Sequence, residues 1–156
     1  MNEKIINFRN SKFFKKRQDQ PEVDIPAYSH RVSAGMPTMV EEQSVDNIVT
    51  IDSSLVRNPG NTAIFTVSGN SMEPVIYDKQ KILIDSILPL ELSPEQMDGK
   101  IVVASVGGDF TVKTLKITEE AILLVPENKD YKVIRVSRED ESFRIIGLVV
   151  FIFPED

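Results

Sequence analysis

The chain has 156 residues, 41% of them hydrophobic, and no cysteine; this suits one domain with an appended arm and excludes disulfides, thiolate metal sites and a cysteine nucleophile. The net charge of −6 is uneven: residues 1–20 hold six basic side chains (Lys4, Arg9, Lys12, Lys15, Lys16, Arg17) against Glu3 and Asp19, a balance of +4 that leaves −10 for the rest. An acidic body disfavours duplex DNA, which needs clustered Lys and Arg, and no apolar run approaches the roughly 18 residues of a bilayer span.

The N-terminus lacks the succession of a secretory signal, so a cytoplasmic protein with no membrane partner is expected. In Met1 to Gln20, Phe8, Phe13 and Phe14 can dock on the body, and the basic residues suit an acidic surface, nucleic acid or plain solvent. The length before Ala34 leaves no room for a helix-turn-helix domain with its own core, so sequence-specific DNA binding is not expected. From Pro21 to Glu42 the chain carries Pro21, Pro26, Gly35 and Pro37 and little periodicity, which predicts an exposed, largely extended arm. His30 is the sole histidine, so a histidine triad or a multi-histidine metal site is ruled out by counting.

Val45 to Ile51 reads as a strand. Asp52 or Ser53 caps a short helix that Asn58-Pro59-Gly60-Asn61 ends. Ala63 to Val67 alternates as a strand, and Lys81 to Asp85 reads as another. The connection Ser86 to Gly99 holds one helical turn near Ser93-Pro94-Glu95-Gln96. Lys100 to Ser105 and Phe110 to Leu115 form a hairpin about Gly107-Gly108. Ala121 to Val125, Lys132 to Val136 and a long apolar strand, Phe143 to Phe153, interrupted at Gly147, complete the chain. About eight short strands mean a mostly-β fold, a partly open barrel or sandwich. The last strand would aggregate as a bare edge, so burial or pairing in a dimer must cover it.

Three stretches carry chemistry. Gly69-Asn70-Ser71-Met72-Glu73-Pro74 presents a serine on a constrained turn directly after a strand. A serine hydroxyl needs a base, and without a usable histidine the candidates are a carboxylate or a neutral lysine. In Phe110 to Leu115, Phe110, Val112 and Thr114 share one face and Thr111, Lys113 and Leu115 the other. Lys113 beside Leu115 can sit in apolar packing, which disfavours the ammonium form. Lys79 and Lys81 flank a turn and read as solvated; Asp78 and Asp85 read as turn and strand-end residues. Backbone N–H groups about Asn70 and Ser71 are the candidate oxyanion hole. The third stretch, Val32 to Pro37, offers a small-small bond, Ala34-Gly35, in the arm. Phosphate-loop, dinucleotide and metal motifs are absent, so neither cofactor nor metal is expected.

Together these residues resemble the LexA/UmuD group of self-cleaving Ser–Lys proteins. Residues 69–74 look like its nucleophile motif, 110–115 like its lysine strand and Ala34-Gly35 like its scissile bond, with Met36-Pro37 following as in the UmuD branch. Ile51-Asp52 through Asn58-Pro59, and Phe65-Thr66-Val67, also look like UmuD. Two positions depart from the pattern: the Ser86 to Gly99 connection is long, and Tyr77 stands where a glycine usually precedes the aspartate. The resemblance implies a LexA/UmuD/signal-peptidase-like fold, with residues 1–34 as an arm released on cleavage, 35–45 as a linker and 46–156 as the β domain. It implies Ser71 as nucleophile, Lys113 as base and cleavage between Ala34 and Gly35. It further implies a homodimer, stimulation by RecA nucleoprotein filaments and a trimmed form that joins a Y-family translesion polymerase in the SOS response. A LexA-like transcriptional regulator or antirepressor lacking its own DNA-binding domain is the alternative. A non-catalytic interaction domain of the same fold is a third reading, and a signal peptidase lacks its membrane anchor here. An arm laid along a sheet edge would present its backbone as an added strand, with reach supplied by roughly 3.3 Å per extended residue.

Overall fold

A computed structural model of the chain describes residues 21–33 and 45–155. Among them, nine strands form one mixed sheet: β1 (Glu22–Ser33), β2 (Val45–Asp52), β3 (Thr62–Ser68), β4 (Lys81–Asp85), β5 (Ile101–Val106), β6 (Asp109–Ile117), β7 (Ala121–Val125), β8 (Ile134–Ser137) and β9 (Arg144–Ile152). Their order across the sheet is β2-β1-β3-β4-β9-β5-β6-β7-β8. The fold is mostly β and open-edged, as the strand pattern predicts.

The sheet curls enough for β1 to meet β6 across the core, although four strands lie between them in the order. That curl buries β3 and β4 on both faces. Ala63, Phe65 and Val67 of β3 and Ile82 and Ile84 of β4 pack inward with Val103 and Val112. Ile64 and Leu83 point the other way and join Val23, Ile25 and Ile51. A third cluster, around Leu115, Leu124 and Leu148, fills the far end. The apolar alternation of each strand therefore decides which cluster its residues enter.

β1 departs from the expected exposed arm. It is an interior strand, antiparallel to β2 and parallel to β3. Val23, Ile25 and Tyr28 are buried, and Tyr28 stacks on Phe65 with ring centroids 5.1 Å apart. The sheet thus starts at Glu22, ahead of residue 46. Pro26 is tolerated because the ladder with β3 begins only at Ala27, so its missing N–H takes no bond from that side. The segment 34–44, with Ala34 and Gly35, lies outside the described residues, as do residues 1–20 and their phenylalanines.

Other elements follow their local signals. Asp52 accepts from the Ser54 N–H and caps a 3-10 turn at Ser53–Leu55. Ser93 and Gln96 form a reciprocal capping box on α2 (Pro94–Met97). The long connection also holds α1 (Leu88–Glu91), which the sequence reading did not anticipate. The buried carboxylate of Asp85 accepts from the N–H groups of Ile87 and Leu88 at that helix start. Leu88, Leu92 and Met97 of this connection pack on the Leu115 cluster. β9 is one strand through Gly147, and the expected interruption is a register shift in its ladder with β5 between Gly147 and Ile145. A Cβ at Gly147 would stand 3.0 Å from the Asp85 carbonyl oxygen, so the glycine permits a close approach of β4. β9 lies between β4 and β5, so both its edges are paired and no bare apolar edge remains.

Candidate active site

The turn after β3 is built by short-range bonds. Gly69 adopts a φ of 99°, a conformation open to glycine at little cost. Its N–H donates to the Asp78 carboxylate at 2.8 Å. Farther on, the Glu73 N–H donates to the Asn70 carbonyl, and Val75 and Ile76 donate to that of Met72. Met72 and Ile76 are wholly buried and anchor the turn in the inner cluster. The Glu73–Pro74 peptide is cis. Asn128, between β7 and β8, closes the turn from outside. Its backbone N–H donates to the Ser71 carbonyl at 2.9 Å, and its Nδ2 donates to the Asn70 carbonyl at 3.0 Å.

Lys113 arrives from the middle of β6, paired with Val102 of β5. It is 2% exposed, and Ser71 is 0% exposed. The Nζ of Lys113 donates to Ser71 Oγ at 3.2 Å, to Thr111 Oγ1 at 2.7 Å and to the Val112 carbonyl at 3.2 Å. Thr111 precedes Lys113 by two and shares its face of the strand, so it can reach the amine. Burial disfavours the ammonium and lowers the Lys113 pKa from 10.5 to about 8. The pair meets across 42 residues of sequence.

The fold therefore brings Ser71 and Lys113 into hydrogen-bond contact and sets Asn70 in the same turn. It gives Asp78 and Asp85 structural roles at the Gly69 turn and at α1. Thr111 and Asn128 are the site residues that sequence reasoning missed. Thr111 was legible as a face-mate of Lys113. Asn128 had only a turn signal, because its side-chain partner Asn70 lies 58 residues away. A serine with a desolvated amine at hydrogen-bond distance can deliver a hydroxyl nucleophile and accept its proton.

A buried serine in hydrogen-bond contact with a desolvated lysine, on a curled β sheet, is an arrangement that suits a serine peptidase. This chain belongs to the Peptidase S24-like family, whose model matches residues 26–150. It is 39% identical over 120 residues to the LexA repressor of Acidovorax sp. (strain JS42), an alignment covering 77% of this chain and 50% of that protein. It is 34% identical over 126 residues to the protein MucA of Salmonella typhimurium, covering 80% of this chain and 81% of that one. The LexA repressor of Edwardsiella ictaluri (strain 93-146) is 33% identical over 120 residues. The chain spans about half the length of the LexA repressors it matches. Membership is of the LexA/UmuD type that the motifs resemble.

Proposed function

We propose that the chain is a UmuD-like self-cleaving protein in which Ser71 and Lys113 cut the Ala34-Gly35 bond. The observation that carries this reading is the buried contact between Lys113 Nζ and Ser71 Oγ at 3.2 Å. A neutral lysine has two N–H bonds and one lone pair. With N–H groups directed at Thr111 Oγ1 and the Val112 carbonyl, the lone pair faces the Ser71 hydroxyl. Lys113 takes the hydroxyl proton as Oγ attacks the Ala34 carbonyl. Backbone N–H groups of Asn70 and Ser71 stabilise the oxyanion. The Lys113 ammonium then protonates the departing Gly35 amine, which leaves an ester on Ser71. Water, deprotonated by the same amine, hydrolyses that ester.

The parallel ladder of β1 on β3 supports attack within one chain. Ser33 pairs with Ser68, so the backbone leading to Ala34 runs beside the backbone leading to Ser71. A substrate strand held that way makes the reaction effectively unimolecular. The family resemblance supports a homodimer stimulated by RecA filaments, whose trimmed form joins a Y-family polymerase in translesion synthesis. The chemistry asks no more of such an activator than favouring the docked arm.

The test is incubation of the purified full chain over a pH series, followed by intact mass measurement under denaturing conditions. The expected product begins at Gly35. Its rate of formation rises about tenfold per pH unit below pH 8 and levels off above, tracking the neutral fraction of Lys113. Ser71→Ala stops it. Persistence of the full-length chain, even with activated RecA filaments, sinks the reading in favour of a non-catalytic interaction domain. The 39% identity to a LexA repressor favours a second reading, a transcriptional regulator or antirepressor. A pull-down separates the two: a Y-family polymerase speaks for the first, a DNA-bound repressor for the second.

A further inference from the structure

Cutting the chain between β1 and β2 leaves β1 in an unusual position. It is not an edge strand that can peel away. β2 flanks it on one side and β3 on the other. Glu22 to Tyr28 pair with residues between Val45 and Asp52, while Ala27 to Ser33 pair with residues between Ile64 and Ser68. β1 also supplies both core clusters it touches. Val23 and Ile25 pack against Ile51, Ile64 and Leu83 on one face, and Tyr28 stacks on Phe65 on the other. Among the described residues, β2 is hydrogen-bonded to the sheet only through β1. Losing β1 would strip the β3 edge of its ladder, expose Ile64 and Phe65, and leave β2 with no strand to pair with.

Resting on the self-cleavage reading above, we propose that the slot between β2 and β3 is a peptide-docking site whose occupant is the 22–33 segment of this chain. After scission the segment ending at Ala34 is not released outright, as the family resemblance implies, but stays bound as a separate strand until the same segment from a second copy replaces it. Recognition follows from the two hydrogen-bonded edges, which give affinity, and from the inward side chains, which give selectivity. Ile25, fully buried, is the main specificity position. The severed protein is then a two-piece fold whose pieces can be traded between molecules, a route by which cut copies become linked to one another.

The experiment starts from the full chain after self-cleavage, with the cut verified by denaturing mass. Native size-exclusion chromatography is expected to show both pieces eluting together, and native mass spectrometry a one-to-one complex. The cut protein is then refolded from denaturant with an equimolar isotope-labelled peptide of residues 21–33. About half of the bodies are expected to carry the labelled strand. The same peptide with Ile25→Asp is expected to be incorporated at least tenfold less, and its substitution leaves the body untouched. A body that elutes without its N-terminal piece overturns the proposal, as does an Ile25→Asp peptide that incorporates equally well. If the chain makes no cut of its own, the self-cleavage reading fails. Docking is then judged by the same measurements on a Ser71→Ala chain with a site-specific protease sequence inserted after Ala34.

Discussion

The two halves of the Ser71–Lys113 contact are held in different ways. Ser71 sits on a turn fixed by a handful of individual bonds, donated by the Gly69 N–H to Asp78 and by Asn128 to the carbonyls of Asn70 and Ser71. Lys113 sits in the centre of β6, and its backbone is fixed by ladders to β5 on one side and to β7 nearby. Ser71 can thus be loosened one bond at a time, whereas the lysine moves only if the sheet does. What is tunable in the lysine is its charge, through the groups around Nζ.

The largest effect tests the charge side of that contrast. Lys113→Met should abolish scission, a loss of at least about a thousandfold. It should also leave the fold more stable near neutral pH, by about 1–3 kcal/mol, because a dehydrated ammonium is no longer required. The sign is checkable by linkage. Lys113 binds its proton less tightly folded than unfolded, so the unfolded chain holds more protons between about pH 8 and 10.5. Stability of the parent should therefore rise with pH across that window, and Lys113→Met should remove the rise. Denaturant melts at several pH values read this out; a parent and variant with parallel pH profiles would break the argument.

Thr111→Val comes next. It removes the 2.7 Å acceptor of the Lys113 amine and leaves the turn intact. The ammonium loses a partner, so the pH midpoint of cleavage should move down while the plateau rate falls about tenfold. Asn128→Ala should do the opposite kind of damage. It removes the Nδ2 bond to Asn70 and keeps the backbone bond to Ser71, so the plateau should fall ~3–10-fold with the midpoint unmoved. Pairing these two pH profiles separates positioning of the hydroxyl from tuning of the amine. The smallest effect belongs to Asp78→Asn. Its remaining oxygen still accepts from Gly69, so the cleavage rate should change less than about threefold.

The same contrast explains what could be read in advance. The Ser71 turn was legible because its determinants, Gly69 and Pro74, are local. Lys113 was legible as a buried amine because Leu115 shares its face. Their meeting required strands far apart in sequence, and only the family resemblance supplied it. β1 was missed for the reverse reason. Pro21 and Pro26 read as arm residues, while the alternation of Val23 and Ile25 was too short to outweigh them. Its two flanking strands, which turn it into an interior element, are set by tertiary pairing. Asn128 shows the same limit at the scale of one side chain.

The proton of Lys113 has one last consequence. Burial in the sheet keeps water from the Lys113 amine and lowers its pKa to about 8. At pH 7 roughly one molecule in ten carries the uncharged amine at any instant, and exchange with solvent renews that fraction. In the proposed cleavage, that fraction holds the rate at pH 7 to about a tenth of its plateau.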